Sequence, residues 1–74
     1  MEKYANLGGR SGVREYSIGH DYILVKFSDG SLYKYSYISA GVEIIEEMKR
    51  LAERGYGLNS FIMRKARTKY EWKR

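Results

Sequence analysis

Apolar and polar positions alternate with a period of two between residues 13 and 37, and the period lengthens to that of a helix after residue 40. In VREYSIG, residues 13–19, Tyr16 and Ile18 share one parity. In YILVKFS, residues 22–28, Ile23, Val25 and Phe27 do. In SLYKYSY, residues 31–37, the shared parity belongs to Tyr33, Tyr35 and Tyr37. Such alternation in β-branched and aromatic residues predicts three strands. The links His20-Asp21 and Ser28-Asp29-Gly30 are short, so the strands form an antiparallel meander.

The second turn sets the register. A two-residue loop at Asp29-Gly30 would put Phe27 opposite Leu32 and leave both sheet faces mixed. A type I turn over Phe27–Gly30 with a left-handed Gly30 in a bulge puts Val25 opposite Tyr33 and Ile23 opposite Tyr35. One face then carries Tyr16, Ile18, Ile23, Val25, Phe27, Tyr33 and Tyr35. The other carries Glu15, Ser17, Tyr22, Leu24, Lys26, Leu32, Lys34 and Ser36. A sheet buried on one side needs that segregation, so the bulged register is expected. It makes Tyr33 and Tyr35 core residues with their hydroxyls at the core's edge, rather than a base-stacking platform.

Residues 40–54, AGVEIIEEMKRLAER, place Ile44, Ile45, Met48, Leu51 and Ala52 on one helical stripe. Ser39 is the expected N-cap and Gly55 the expected stop. Acidic residues gather toward the start and basic ones toward the end, as the helix dipole favours, with Glu46–Arg50 an i, i+4 pair. After Gly55-Tyr56-Gly57, a second short helix is expected from about residue 60, capped by Asn59 or Ser60 and packed through Phe61, Ile62 and Ala66. The predicted class is α+β: a three-stranded antiparallel meander, an amphipathic helix on one face and a short C-terminal helix. Residues 1–12 read as a flexible polar arm, 13–70 as one domain and 71–74 as a basic tail.

Length sharpens this picture. A chain of 74 residues makes one domain and buries only roughly 60% of its unfolded surface. It has no Cys, so no disulfide or thiolate–zinc site supports the core. Absence of Cys fits a cytoplasmic setting. No apolar run approaches the roughly 20 residues of a membrane span, and the first residues lack the apolar stretch of a signal peptide. Gln and Pro are absent while Glu, Lys, Arg and Tyr abound. The charged, amide-poor bias is that of hyperthermophile proteins, although many of those also enrich Pro in loops.

Charge changes the picture most. Residues 1–48 hold five Lys/Arg against seven Asp/Glu, a net of −2, and residues 49–74 hold nine against two, a net of +7. A one-sided basic segment is the footprint of a polyanion binder, and also of an ordinary solvated helix face. Arg64, Lys65, Arg67, Lys69, Lys73 and Arg74, mixed with Tyr70 and Trp72, combine phosphate-binding charge with stacking surface. On the open sheet face Tyr22, Lys26 and Lys34 are further contact candidates, with Glu15 set to offset Lys26 across the strands. His20, the single histidine, sits in a turn and makes no metal set with Asp21. No catalytic triad or phosphate loop is present in the pattern, so an enzyme, a metal and a cofactor are not expected.

The run YILVKFSDGSLYKYSY resembles the centre of the KTSC domain, a family of about sixty residues found at the C-terminus of some lysyl-tRNA synthetases. The matching elements are the strand Leu24-Val25-Lys26-Phe27, the turn Asp29-Gly30 and the Tyr33-Lys34-Tyr35 strand. Residues 11–21 are similar to the family's upstream strand and Gly-x-Asp turn. Gly57, Asn59 and Ile62 are similar to its later Gly…Asn…Ile segment. The chain departs from the family where Tyr37-Ile38-Ser39 lacks a Pro, and where Arg64–Lys69 intervenes before a Tyr70 that no Pro follows. The synthetase link implies RNA binding by analogy. The expectation is therefore a small nucleic-acid-binding module, RNA ahead of DNA, monomeric or weakly self-associating. The competing expectation is a protein-interaction or homo-oligomerisation module that uses Tyr22, Leu24 and Leu32 on the open face.

Overall fold

The computed structural model describes all residues, Met1–Arg74. It is α+β, with one antiparallel sheet and the helices on one side of it. Five strands, β1 (Glu2–Lys3), β2 (Val13–Ile18), β3 (Tyr22–Phe27), β4 (Leu32–Ser36) and β5 (Trp72–Lys73), pair in chain order. The helices are α1 (Tyr37–Ala40), α2 (Val42–Arg54) and α3 (Leu58–Phe61), the last continuing as a π-helical turn over Ile62–Ala66.

The bulged register is the one adopted. Val25 pairs with Tyr33 and Ile23 with Tyr35. The Phe27 amide donates to the Ser31 carbonyl, the Gly30 amide donates to the Phe27 carbonyl, and Gly30 takes φ +89°. Asp29 closes the turn by accepting from both the amide and the hydroxyl of Ser31. Those two bonds hold its carboxyl below the usual range.

The three-stranded expectation is corrected to five strands because both supposed tails pair with sheet edges. An open edge strand presents unpaired N–H and C=O groups. Residues 2–4 satisfy the β2 edge: Glu2 pairs with Tyr16, Lys3 with Glu15, and the Tyr4 amide donates to the Arg14 carbonyl. Residues 72–74 satisfy the β4 edge: Trp72 pairs with Lys34, Lys73 with Tyr33, and Arg74 exchanges two backbone bonds with Leu32. The N-terminal residues are thus no free arm. Tyr4 is buried in the core, and the Leu7 amide donates to the Gly55 carbonyl.

The helix caps also differ. Ser36, not Ser39, caps the first helical turn, and the two serines bond reciprocally. Gly41, at φ +91°, then breaks the chain before α2, which starts without a side-chain cap. Gly55 ends α2 in the left-handed conformation, as expected. Gly57, not Asn59 or Ser60, precedes α3, and the Tyr4 hydroxyl accepts from the Leu58 amide in place of a local cap. On α2 the ion pairs are Lys49–Glu46 and Arg50–Glu47, not Glu46–Arg50. The Tyr37 hydroxyl donates to Glu46 at 2.6 Å, and with Lys49 it holds the Glu46 carboxyl below its ordinary value.

The core lies between the sheet and α2, α3 and the π-helical turn. Ile23, Val25 and Tyr35 from the sheet meet Ile45, Met48, Leu51 and Ala52 from α2, with Leu58, Ile62 and Ala66 behind them. Val13, Tyr4 and Leu58 join this core without having been read from the sequence. Tyr35 is 1% exposed, and burial pushes its phenol well above the ordinary range. Tyr33 is half-buried, stacked at 6.0 Å on Tyr35 and edge-on to Phe27 and Tyr70.

Candidate nucleic-acid interface

Because side chains alternate along a strand, the register that buries Ile23, Val25 and Tyr35 turns their neighbours to the other side of the sheet. That side has no helix over it. Reading across the strands, one row runs Lys3, Glu15, Lys26, Leu32, Arg74, and the next Ser17, Leu24, Lys34, Trp72. Tyr22 and Ser36 form the third row. Tyr22, Leu24, Leu32 and Trp72 are half-buried.

Charge on this face is mostly positive. Lys3, Lys26, Lys34 and Arg74 share it with Glu15, and Glu71 stands beside it. Lys34 reaches Glu71 at 3.7 Å and also lies 4.9 Å from the centre of the Tyr22 ring. The Arg74 guanidinium lies 4.4 Å from the centre of the Trp72 ring. Glu15 and Lys26 face each other across β2 and β3 but form no ion pair; the pairs formed are those of Lys34, Lys49 and Arg50. Of the two ring-stacked cations only Arg74 is left without a carboxylate; such a cation suits phosphate contact, while the ring faces suit bases.

The eight residues singled out from the sequence therefore fall into two groups. Tyr22, Lys26, Lys34 and Trp72 come together on the open face. Arg64, Lys65, Arg67 and Lys69 do not join them. They lie on the helical side, on the π-helical turn and the segment after it, all exposed and without ion pairs. Arg67 and Lys69 precede β5 directly, and that segment is fastened by the Ser39 hydroxyl donating to the Lys69 carbonyl at 2.7 Å. Tyr33 and Tyr35 face the core, as the register required.

Lys3 escaped sequence reading, and Arg74, read only as part of the basic C-terminal run, was not placed on this face. The signal that finds them is parity: once residues 2–4 and 72–74 are set on the edges, Lys3 aligns with Glu15 and Arg74 with Leu32. No three His, Cys, Asp or Glu side chains gather where a metal could be held. No helix is long and apolar enough to cross a membrane. Comparison of the chain with family models, curated proteins and solved structures gives no match.

Proposed function

We propose that this protein is a KTSC-like, single-stranded nucleic-acid-binding module that seats its ligand on the open sheet face. The observation that carries this reading is the mixed row structure of that face. Two aromatic rings and two leucines lie among four cations, opposed by Glu15 within the face and by Glu71, which pairs with Lys34 from beside it. Sheets that bind single strands use this combination, with rings stacking on splayed bases and cations following the backbone. Arg64, Lys65, Arg67 and Lys69, on the helical side, add longer-range attraction. RNA is placed ahead of DNA on the KTSC resemblance alone. The reading is of a cytoplasmic binding module rather than an enzyme.

The protein carries its own reporter, because Trp72 is the single tryptophan. Titration with mixed-sequence single-stranded RNA should quench its fluorescence, with affinity falling as salt rises. Each phosphate contact removed, by Lys34→Ala or Arg74→Ala, should flatten the log–log salt slope by roughly 0.7. Trp72→Phe should keep most of the affinity, and Trp72→Ala should lose about 1–3 kcal/mol on single strands. No binding at ~50 mM salt, where phosphate contacts are strong, removes the nucleic-acid reading.

The second reading uses the same face. Leu24 and Leu32 give it apolar area at its centre, enough to favour a weak protein contact or self-association. Salt separates the two readings, because apolar association does not weaken as salt rises.

A further inference from the structure

A groove of about 570 Å³ lies on the helical side of the sheet, between the N-terminal loop and the ends of α2 and α3. Its lining includes Arg10, Arg50, Arg54 and Arg64, with Glu47 as the one carboxylate. Glu47 is held by Arg50, which donates from Nε and Nη2 to its two carboxylate oxygens. Arg10, Arg54 and Arg64 are left with no carboxylate. Hydrophobic residues are 4 of the 16 in the lining, so the groove is built for a polar, anionic guest.

The walls are held in place. Asn6, at φ +53°, closes the loop by accepting from the Gly9 amide on its carbonyl and from the Ser11 amide on its side chain. The Leu7 amide ties the same loop to Gly55 at the end of α2. Arg54 donates from Nε and Nη2 to the Tyr56 carbonyl, at 3.3 and 3.2 Å, and its guanidinium lies 5.6 Å from the Tyr56 ring centre. A Cβ on Gly8 would stand 3.2 Å from Tyr56 Cε1, so the loop closes directly on one edge of that ring. Tyr56 is nevertheless 56% exposed. A fixed ring with an open face stands at the rim, beside an arginine whose plane is already set.

We infer that this groove binds the phosphate monoester of a nucleotide, with the phosphate on Arg10, Arg54 and Arg64 and the base stacked on Tyr56. Guanidinium groups match phosphate oxygens two at a time, which lysines do not. The volume falls in the range of small-ligand sites, about 300–1,000 Å³. The site is separate from the open sheet face, and neither reading depends on the other. The same monoester chemistry is offered by a free mononucleotide and by the 5′-phosphate end of an RNA strand.

The test is NMR titration of the full ¹⁵N-labelled chain with adenosine 5′-monophosphate, adenosine and inorganic phosphate. The monophosphate should give saturable shifts at the amides of Gly8, Tyr56 and Asn59, with phosphate weaker and adenosine silent there. Arg64→Ala and Arg54→Lys should each weaken binding about tenfold or more. Both arginine side chains are exposed, so the folded amide spectrum should persist in both variants. Lys73→Ala, outside the groove lining and off the open face, should leave binding at the groove amides unchanged. Affinity should fall as pH drops through about 6, where the monoester gains its second proton. Oligoribonucleotides with and without a 5′-phosphate then separate the sources, since a preference for the phosphorylated end identifies RNA and its absence a free nucleotide. Equal response to adenosine and its monophosphate, silence at the groove amides, or wild-type affinity in both arginine variants overturns the assignment. Phosphate binding as tightly as the nucleotide overturns the stacking role of Tyr56.

Discussion

Removing the Tyr4 side chain should cost a large share of this protein's stability, although Tyr4 lies in a segment whose sequence reads as a loose arm. Tyr4 is 2% exposed and belongs to the main core. Its hydroxyl accepts from the buried Leu58 amide at 3.2 Å, a bond that spans 54 positions of the chain. That amide is the first of α3, a helix with no side-chain cap of its own. Two terms can therefore be separated. Tyr4→Phe keeps the ring and strips the acceptor, leaving a buried N–H unpaired at a cost of about 1–2 kcal/mol. Tyr4→Ala also empties the ring's volume, and truncating a buried aromatic costs about 3–5 kcal/mol. The whole fold is held by roughly 4–11 kcal/mol at the usual stability per residue.

Urea unfolding followed by circular dichroism reads both terms. With a denaturant slope near ~1 kcal/mol/M for a chain this small, Tyr4→Phe should lower the midpoint by about 1–2 M. Tyr4→Ala should lower it by about 3–5 M. A Tyr4→Ala midpoint matching an exposed substitution, within about 0.5 kcal/mol of wild type, would refute the reasoning. The N-terminal residues would then be a peripheral appendage after all.

Gly55 and Gly30 make a matched pair, since both have positive φ, but a Cβ on Gly55 would stand 2.6 Å from Ala5 Cβ while one on Gly30 meets nothing. Each alanine variant should lose about 1–2 kcal/mol to the backbone, and Gly55→Ala should lose a further ~1–3 kcal/mol to overpacking; equal thermal shifts would show that the arm does not press on Gly55. Burial, then neighbouring Tyr33 and Tyr70, raises the Tyr35 phenol in the folded state, so the neutral form is favoured there and the unfolded chain loses its proton first. Stability should be fully present below about pH 10, the unfolded value, and fall as pH rises through the folded one. The fall should be shallower in Tyr35→Phe when urea midpoints are measured across that window, and identical slopes would sink the idea.

What could be read from the sequence was what local periodicity and turn chemistry fix. Asp29-Gly30 and the demand for a clean apolar face were enough to choose the register, and with it the inward turn of Tyr35 and the outward turn of Lys34. The stripe from Ile44 to Ala52 gave the main helix. Strands of two residues carry no periodicity, so Glu2-Lys3 and Trp72-Lys73 could not be seen this way. They exist because β2 and β4 leave edges to be paired, which is a property of the assembled sheet. Tyr4 was hidden for the same reason, as its burial follows from the pairing beside it. Gly55 was legible as a helix stop, but its close approach to Ala5 was not. For the candidate interface, parity found Tyr22, Lys26 and Lys34, while Trp72 was noticed as part of a basic run and owes its place beside Lys34 to β5.

The charge split along the chain does not survive folding as a split in space. Two acidic residues of the first two thirds, Glu46 and Glu47, engage Lys49 and Arg50 on α2. The open face draws Lys3 from one end of the chain and Arg74 from the other, with Lys26 and Lys34 between them. Neither terminal half would make this surface alone. Both outer cations ride on short edge strands, so the pairing that completes the sheet also completes its positive face. Deleting residues 71–74 would remove an edge strand, a stacking ring and two cations together, and a loss of binding after such a truncation would not separate structure from contact. Substitutions that keep the backbone and change only outward side chains, such as Trp72→Phe against Trp72→Ala and Arg74→Ala against Lys73→Ala, do separate them. Lys73 lies on the other face, over Tyr33 and Tyr70, 5.8 Å from each ring centre. Its replacement leaves the open-face rows intact, so an interface formed by those rows should respond to Arg74 and not to Lys73.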